Sequence, residues 1–393
     1  MQIIIHRGTH QIGGCITEIK SRQARIIIDM GDDLPSVKNP IDDVDIEGVT
    51  CGKADCDGVF ITHYHGDHIG RYSKILPDAP VYMGKVAHKI FLAFQKRCKS
   101  KHIAAIERFN TFTPAQKITL KDMVITPLRV DHSAFDAYMF LVESNGKKIL
   151  HTGDFRMHGQ TGGKLLPTLE KWAGKVDVLI TEGTTLSRND DETITEQRLQ
   201  LEAARLLKAH KYVFVMCSST NIDRIGAFYQ ATPRGKYFLC DDYQKSVLDI
   251  VSDHNKTLKK SSPLYQFEKA LTYGDNLLEK MQKQGFCMLV RAGNQMFQKV
   301  MASFPDSLFI YSMWNGYLDG DAKIENICDF VPPDYVYLHT SGHATSEDIK
   351  KVCDTVQPKT IIPIHGENPK NIEKLNLPYD VKYLNDGELY EIE

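Results

Sequence analysis

The sequence has no Cys-x-x-Cys pair, no long apolar run and almost no excess of either charge. Its nine cysteines are an odd number, and the closest pair, Cys51 and Cys56, carries no partner motif. This argues against a disulfide framework. Cys217, Cys240 and Cys287 lie in or beside apolar runs, where a free thiol acts as a small core residue in a reducing compartment. No run approaches the ~20 residues needed to cross a bilayer. The start Met1-Gln2-Ile3-Ile4-Ile5-His6-Arg7-Gly8 is too short an apolar segment for a secretory leader. A cytoplasmic protein with no membrane partner is expected. Internal repeats and low-complexity linkers are also missing. A formal charge of −2, with 42% hydrophobic and 25% charged residues, is ordinary for a globular protein and does not by itself point to nucleic acid. At 393 residues the chain is too long for one core and suggests roughly two to three domains.

The charge is unevenly placed. Lys85, Lys89, Lys96, Arg97, Lys99, Lys101 and Arg108 fall in one stretch against the single acid Glu107, while acids gather between Asp29 and Asp57. Such a run reads first as a solvated helix face, with phosphate contact as the second reading.

The densest chemistry lies in Ile61-Thr62-His63-Tyr64-His65-Gly66-Asp67-His68-Ile69-Gly70, directly after the apolar run Gly58-Val59-Phe60-Ile61. Imidazole nitrogen and carboxylate oxygen are the donors a zinc-like ion prefers, and a strand-end loop can turn several onto one point. Gly66 and Gly70 are expected to help the chain turn. For any one of these residues a polar loop is the better reading; for the cluster it is not.

The pattern H-x-H-x-D-H after a strand resembles the signature of the metallo-β-lactamase superfamily. That resemblance implies a binuclear metal site, with His63 and His65 on one ion and Asp67 and His68 on the other. It further implies His132 after a downstream strand as the third ligand of the first ion, Asp154 as the carboxylate shared by both, and His365 as the last ligand of the second. Thr181-Glu182-Gly183-Thr184-Thr185, His339-Thr340-Ser341-Gly342-His343-Ala344 and Pro363-Ile364-His365-Gly366-Glu367 are similar to three motifs of the β-CASP nuclease branch. Ser218-Ser219-Thr220-Asn221-Ile222-Asp223-Arg224 looks most like ribonuclease J. The sequence departs from that pattern after His132, where Ser133-Ala134-Phe135-Asp136-Ala137 lacks the usual proline and serine. A further C-terminal domain, typical of ribonuclease J, is not seen between Glu367 and Glu393.

The expected fold class is α/β (an α+β sandwich): an αββα metallo-β-lactamase fold carrying an inserted parallel α/β β-CASP domain. Strands are expected at Ile3 to Ile5, Cys15 to Ile19, Ala24 to Asp29, Val59 to Thr62, Val81 to Met83, Val124 to Leu128, Tyr138 to Glu143 and Lys148 to Thr152, with a basic helix near Val86 to Cys98. After Glu182, helices and strands alternate, as in a parallel sheet. Thr193 with Glu196 reads as a capping box opening a helix from Glu196 to Ala209, and Thr345 with Asp348 as another. The domains are set at 1–183, an insert at 184–332 and a return at 333–393.

The resemblance implies two divalent ions, zinc first and manganese as the alternative. Two ions about 3.5 to 4 Å apart lower the pKa of a shared water from 15.7 toward about 7. With Asp67, Asp154 and one hydroxide the site keeps one positive charge, which favours an anionic phosphodiester. Asp67 and Asp154 are the expected catalytic carboxylates. Glu182 would orient a ligand imidazole, and His343 would contact the scissile phosphate in a loop opening a helix N-terminus. Ser219, Thr220, Asn221, Arg224, Ser341 and Gly342 are the expected substrate contacts. The expected function is cleavage of single-stranded RNA; the resemblance to ribonuclease J implies 5′-to-3′ exonuclease action, while the residues alone do not separate this from internal cleavage. The alternatives are a DNA nuclease of the same branch, a small-molecule phosphoester hydrolase and an inactive RNA-binding relative. A homodimer is left open.

Overall fold

The computed structural model describes residues 1–35, 37, 40–187 and 193–392. The chain divides into two compact units, one of 1–157, 161–192 and 342–393, the other of 158–160 and 193–341. Among the described residues the strands form sheets of seven, seven and six, and no helix is long and apolar enough to cross a membrane.

The first unit holds both seven-stranded sheets. One runs in the order Leu389–Glu391, Gln2–Arg7, Ile16–Lys20, Arg25–Ile28, Gly58–Ile61, Val81–Gly84, Asn110–Phe112. The other runs Asp380–Val381, Thr360–Ile364, Val178–Glu182, Lys147–His151, Ala137–Ser144, Met123–Val130, Ile118–Leu120. Ile3, Ile26 and Phe60 of the first sheet share one core with Phe140, Ile149 and Ile362 of the second, so the two sheets stack face to face. Alternation decides which side chain goes where. Tyr138, Phe140 and Val142 enter the core between the sheets, while Ala137, Met139 and Leu141 face the helices Leu165–Trp172 and Ser346–Val356 through Leu165, Leu169, Ile349 and Val352. With both faces covered, this strand is apolar along nearly its whole length. Truncating Phe140 to alanine would cost about 3–5 kcal/mol.

The second unit is built on Ala270–Thr272, Tyr237–Cys240, Phe286–Val290, Tyr212–Met216, Leu308–Tyr311 and Tyr335–Tyr337, in that order. All five pairings are parallel, and helices alternate with the strands along the chain. Phe214, Phe286, Phe304 and Tyr311 anchor its core.

Three local expectations are corrected. The helix Glu196–Ala209 is capped by Thr195, whose side chain accepts from the Arg198 N–H, and not by Thr193. Gly66 has open space around it and opens a short helix, Gly66–Ile69. Gly70 has ordinary helical backbone; it is needed for clearance, since a Cβ there would lie 2.5 Å from Asp32 Cβ and from the Gly66 carbonyl oxygen. The capping box of Thr345 and Asp348 is present at the start of Ser346–Val356.

Candidate metal centre

In the second sheet, Met123–Val130, Lys147–His151, Val178–Glu182 and Thr360–Ile364 run in one direction. Their carboxyl ends therefore meet at one edge, and deliver His132, Asp154, Glu182 and His365. The first sheet contributes the loop after Gly58–Ile61, with His63, His65, Asp67 and His68. All of these residues, and Gly342 and His343, belong to the first unit.

The seven candidate ligands come together. His63 Nε2 and His132 Nε2 lie 3.1 and 3.2 Å from His65 Nδ1. His365 Nε2 lies 3.3 Å from His68 Nε2 and 3.2 Å from Asp67 Oδ2. Asp154 Oδ2 is 3.2 Å from His68 Nε2 and 3.8 Å from both His63 Nε2 and His132 Nε2, so this carboxylate stands between the two sets.

Four of the five imidazoles are tethered through their other nitrogen. His68 Nδ1–H donates to Asp29 Oδ2 at 2.8 Å, and His132 Nδ1–H donates to the Gly342 carbonyl at 2.7 Å. The Thr62 hydroxyl donates to Asp29 and so accepts from His63 Nδ1–H. Thr184 Oγ1, 2.7 Å from His365 Nδ1, accepts there while its hydroxyl donates to the His365 carbonyl. Each tether occupies Nδ1 and turns Nε2 inward, a free lone pair on His63 and His132 and, once the ring has lost its second proton, on His68 and His365 too. Facing lone pairs do not bond to one another, and Asp154 Oδ1 is buried with no hydrogen-bond partner. A cation satisfies all of these groups at once, so the residues fit a metal site.

The electrostatics agree. Burial holds His63 and His132 well below the usual imidazole range and takes His65 down to about 4, so these three rings are neutral donors. Burial opposes charge on His68 and His365 too, yet Asp154 and the nearby Cys15 thiol raise both well above that range. Burial likewise opposes charge on Asp154, but His365, His68 and His343 hold it well below the carboxylate range. This half of the site is built to hold positive charge.

The backbone is committed to the same end. His365 has φ of +54° and Asp29 φ of +64°, left-handed conformations that cost a non-glycine residue about 1–3 kcal/mol and gather at functional sites. Gly31 supplies clearance, because a Cβ there would lie 1.8 Å from the Asp67 carbonyl oxygen.

Glu182 is placed differently from expectation. Its Oε2 accepts from His343 Nδ1–H at 3.0 Å and its Oε1 from the Phe155 N–H at 2.9 Å. It orients His343, whose side chain is 23% exposed, and not one of the seven. Sequence reasoning missed Asp29, Thr62, Thr184 and Cys15, the last grouped with His68 and His365. Asp29 does end an apolar strand, but its role emerges only through the parallel pairing of Ile28 with Phe60.

Ser219, Thr220, Asn221, Arg224 and Ser341 belong to the second unit. Arg224 is corrected: its side chain is fully buried and bonded to Glu196, to Ser312 and to the Thr340 carbonyl, so no donor is left for a substrate. Asn221 caps the helix Ile222–Ala231, accepting from the Arg224 N–H. The Ser219 carbonyl accepts from Gln244 and that of Ser341 from His158.

A family model described as a beta-lactamase superfamily domain matches residues 25–215, and one described as a Zn-dependent metallo-hydrolase RNA specificity domain matches 334–371. Between them they span all seven converging residues. Residues 25–215 and 334–371 thus carry the metallo-β-lactamase fold. The chain is similar to ribonuclease J of Helicobacter pylori (strain 26695), 24% identical over 92% of this chain and 55% of that protein. It is also similar to ribonuclease J of Mycoplasma pneumoniae, 25% identical over 99% of this chain and 74% of that protein. The chain spans about half the length of the Helicobacter relative. A crystal structure of a protein of unknown function from Enterococcus faecalis shares the fold, with a TM-score of 0.79, 20% identity and 99% of each chain covered.

Proposed function

We propose that this chain is a metal-dependent ribonuclease that hydrolyses RNA phosphodiester bonds in the cytoplasm with 5′-to-3′ exonuclease action, using two divalent cations, zinc first and manganese as the alternative. One observation carries the reading: four tethered imidazoles, His65 and two carboxylates converge on one space, where buried Asp154 Oδ1 has no hydrogen-bond partner. His63, His65 and His132 would hold one cation and Asp67, His68 and His365 the other, with Asp154 available to both. Divalent cations bound there supply Lewis acidity and a hydroxide nucleophile near neutral pH. Asp154 fixes the spacing of the two donor sets, and Asp29, Thr62, Thr184 and the Gly342 carbonyl keep the imidazoles in their donating tautomers. Glu182 holds His343 by Nδ1, so that its partly exposed edge meets the scissile phosphate and passes a proton to the leaving oxygen. Ser341 and Gly342 lead into the capped helix Ser346–Val356, whose free N–H groups receive phosphate. Ser219 and Thr220, in the insert 184–332 read as the β-CASP domain between 1–183 and 333–393, contact the substrate backbone. RNA is favoured by the ribonuclease J relatives and by the RNA specificity model over 334–371.

The test is cleavage of an end-labelled, 5′-monophosphorylated single-stranded RNA beside its DNA counterpart, by zinc- or manganese-loaded protein with Asp154→Ala as control. Stepwise shortening of the RNA from its 5′ end, lost in the variant, is expected. Cutting of DNA alone, or of neither, would sink the reading.

A further inference from the structure

The basic stretch singled out in the sequence has no part in the metal centre. In the structure it forms the helix Lys85–Arg97 and the turns that follow it. Val86, Ala87, Ile90 and Phe91 bury one side of the helix against the first unit. Lys85, Lys89 and Lys96, spaced at 100° per residue, fall within about 40° of one another on the opposite side. Lys85, Lys89, Arg97, Lys99, Lys101 and Arg108 are all exposed and pair with no acid among the described residues; Lys96 alone is paired, with Glu107 at 3.0 Å. In a chain of net charge −2, these six exposed cations leave the remainder of the molecule acidic. Self-repulsion of this kind is offset when an anion arrives.

The helix is also tied to the centre. Gly84 at its start offers no side-chain cap. The N–H groups of Val86 and Ala87 instead donate to Asp136 Oδ2, at 2.8 and 3.1 Å. Asp136 lies four residues after His132, on the loop that carries that imidazole, and has φ of +66°. The lysine stripe therefore begins beside a ligand loop and extends along the helix for about 17 Å at 1.5 Å per residue.

We infer that the surface of Lys85, Lys89, Lys96 and Arg97, continued by Lys99 and Lys101, binds the phosphate backbone of single-stranded RNA outside the metal centre. This rests on the nuclease reading above for the identity of the polyanion. The surface positions substrate and takes no part in the chemistry, so it matters for long RNA and not for a small phosphodiester.

The experiment compares wild type with the quadruple variant Lys85→Gln, Lys89→Gln, Lys96→Gln, Arg97→Gln. Affinity for a 20-nucleotide RNA is measured across a salt series, with chelator present to stop cleavage. Each lost phosphate contact lowers the slope of log affinity against log salt by about 0.7 for a single strand. The expected result is a slope shallower by up to about 3 units and affinity at low salt at least about tenfold weaker. Hydrolysis of bis(p-nitrophenyl) phosphate, Tm and metal content should stay unchanged, because these side chains are exposed. Wild type that cuts RNA while the variant keeps its affinity and slope overturns the surface and leaves the nuclease standing. Steep, variant-sensitive RNA binding by a protein that cuts no RNA ends the nuclease reading and leaves the surface standing. Absence of RNA binding by wild type overturns the surface.

Discussion

Where strand ends of the first unit's two sheets converge, His63 Nε2 and His132 Nε2 lie 3.1 and 3.2 Å from His65 Nδ1, and Asp154 Oδ1 is buried with no hydrogen-bond partner. At the end of Tyr212–Met216 in the second unit, Arg224 is equally buried, yet Glu196, Ser312, His339 and the Thr340 carbonyl surround its guanidinium. Both regions bury charge that would be prohibitive alone. The second closes on itself and is a strut; the first is complete only with something added. Burial and charge do not separate a site from a scaffold, whereas unfinished hydrogen bonding does.

The contrast breaks first at Asp154. Asp154→Ala should abolish RNA cleavage and lower metal content measured by mass spectrometry, with a loss beyond the roughly 10–100-fold typical of outer-sphere partners. Chelation of wild type should copy that loss, and restored zinc should raise Tm in wild type but not in the variant; equal metal content in both would undo the contrast. Next comes Glu196→Ala, which strands a buried guanidinium and should cost about 3–5 kcal/mol by denaturant unfolding while leaving bound metal per folded chain unaltered. Smaller is Asp29→Asn, which loosens His68 from outside and should weaken metal affinity or activity by about 10–100-fold without unfolding the protein. The smallest effect concerns protons. His68 and His365 are raised above the usual imidazole range when no cation is bound, so they must lose protons to donate. Metal affinity should therefore fall as pH falls, and titration calorimetry near pH 7 in buffers of different ionisation enthalpy should register release of about one to two protons per chain. Zero release would show that these two rings are not displaced from protons by metal.

Much of the centre was legible because four of its donors share one loop. His63, His65, Asp67 and His68 fall within six residues, while His132, Asp154 and His365 needed a family pattern to be picked from other strand-end residues. The tethers were not legible, since Thr184 meets His365 across 181 positions of sequence. The capping error at Thr193 has a specific origin. Glu196 sits at the right spacing for a capping box, but pairing with Arg224 draws its carboxylate into the core, and that one contact also undid the reading of Arg224 as a substrate contact. Strands of two or three residues, such as Asn110–Phe112 and Asp380–Val381, are too short for alternation to register, and the helices Leu165–Trp172 and Asp242–Thr257 were passed over.

His365 lies 297 positions after His68, its N–H donates to the carbonyl of Gly8, and Leu389–Glu391 pairs with Gln2–Arg7. During synthesis the first six donors leave the ribosome early, but the seventh waits until the whole of 193–341 has been made. The half-made chain thus carries an incomplete centre, and the order of translation delays its assembly until position 365 has been made.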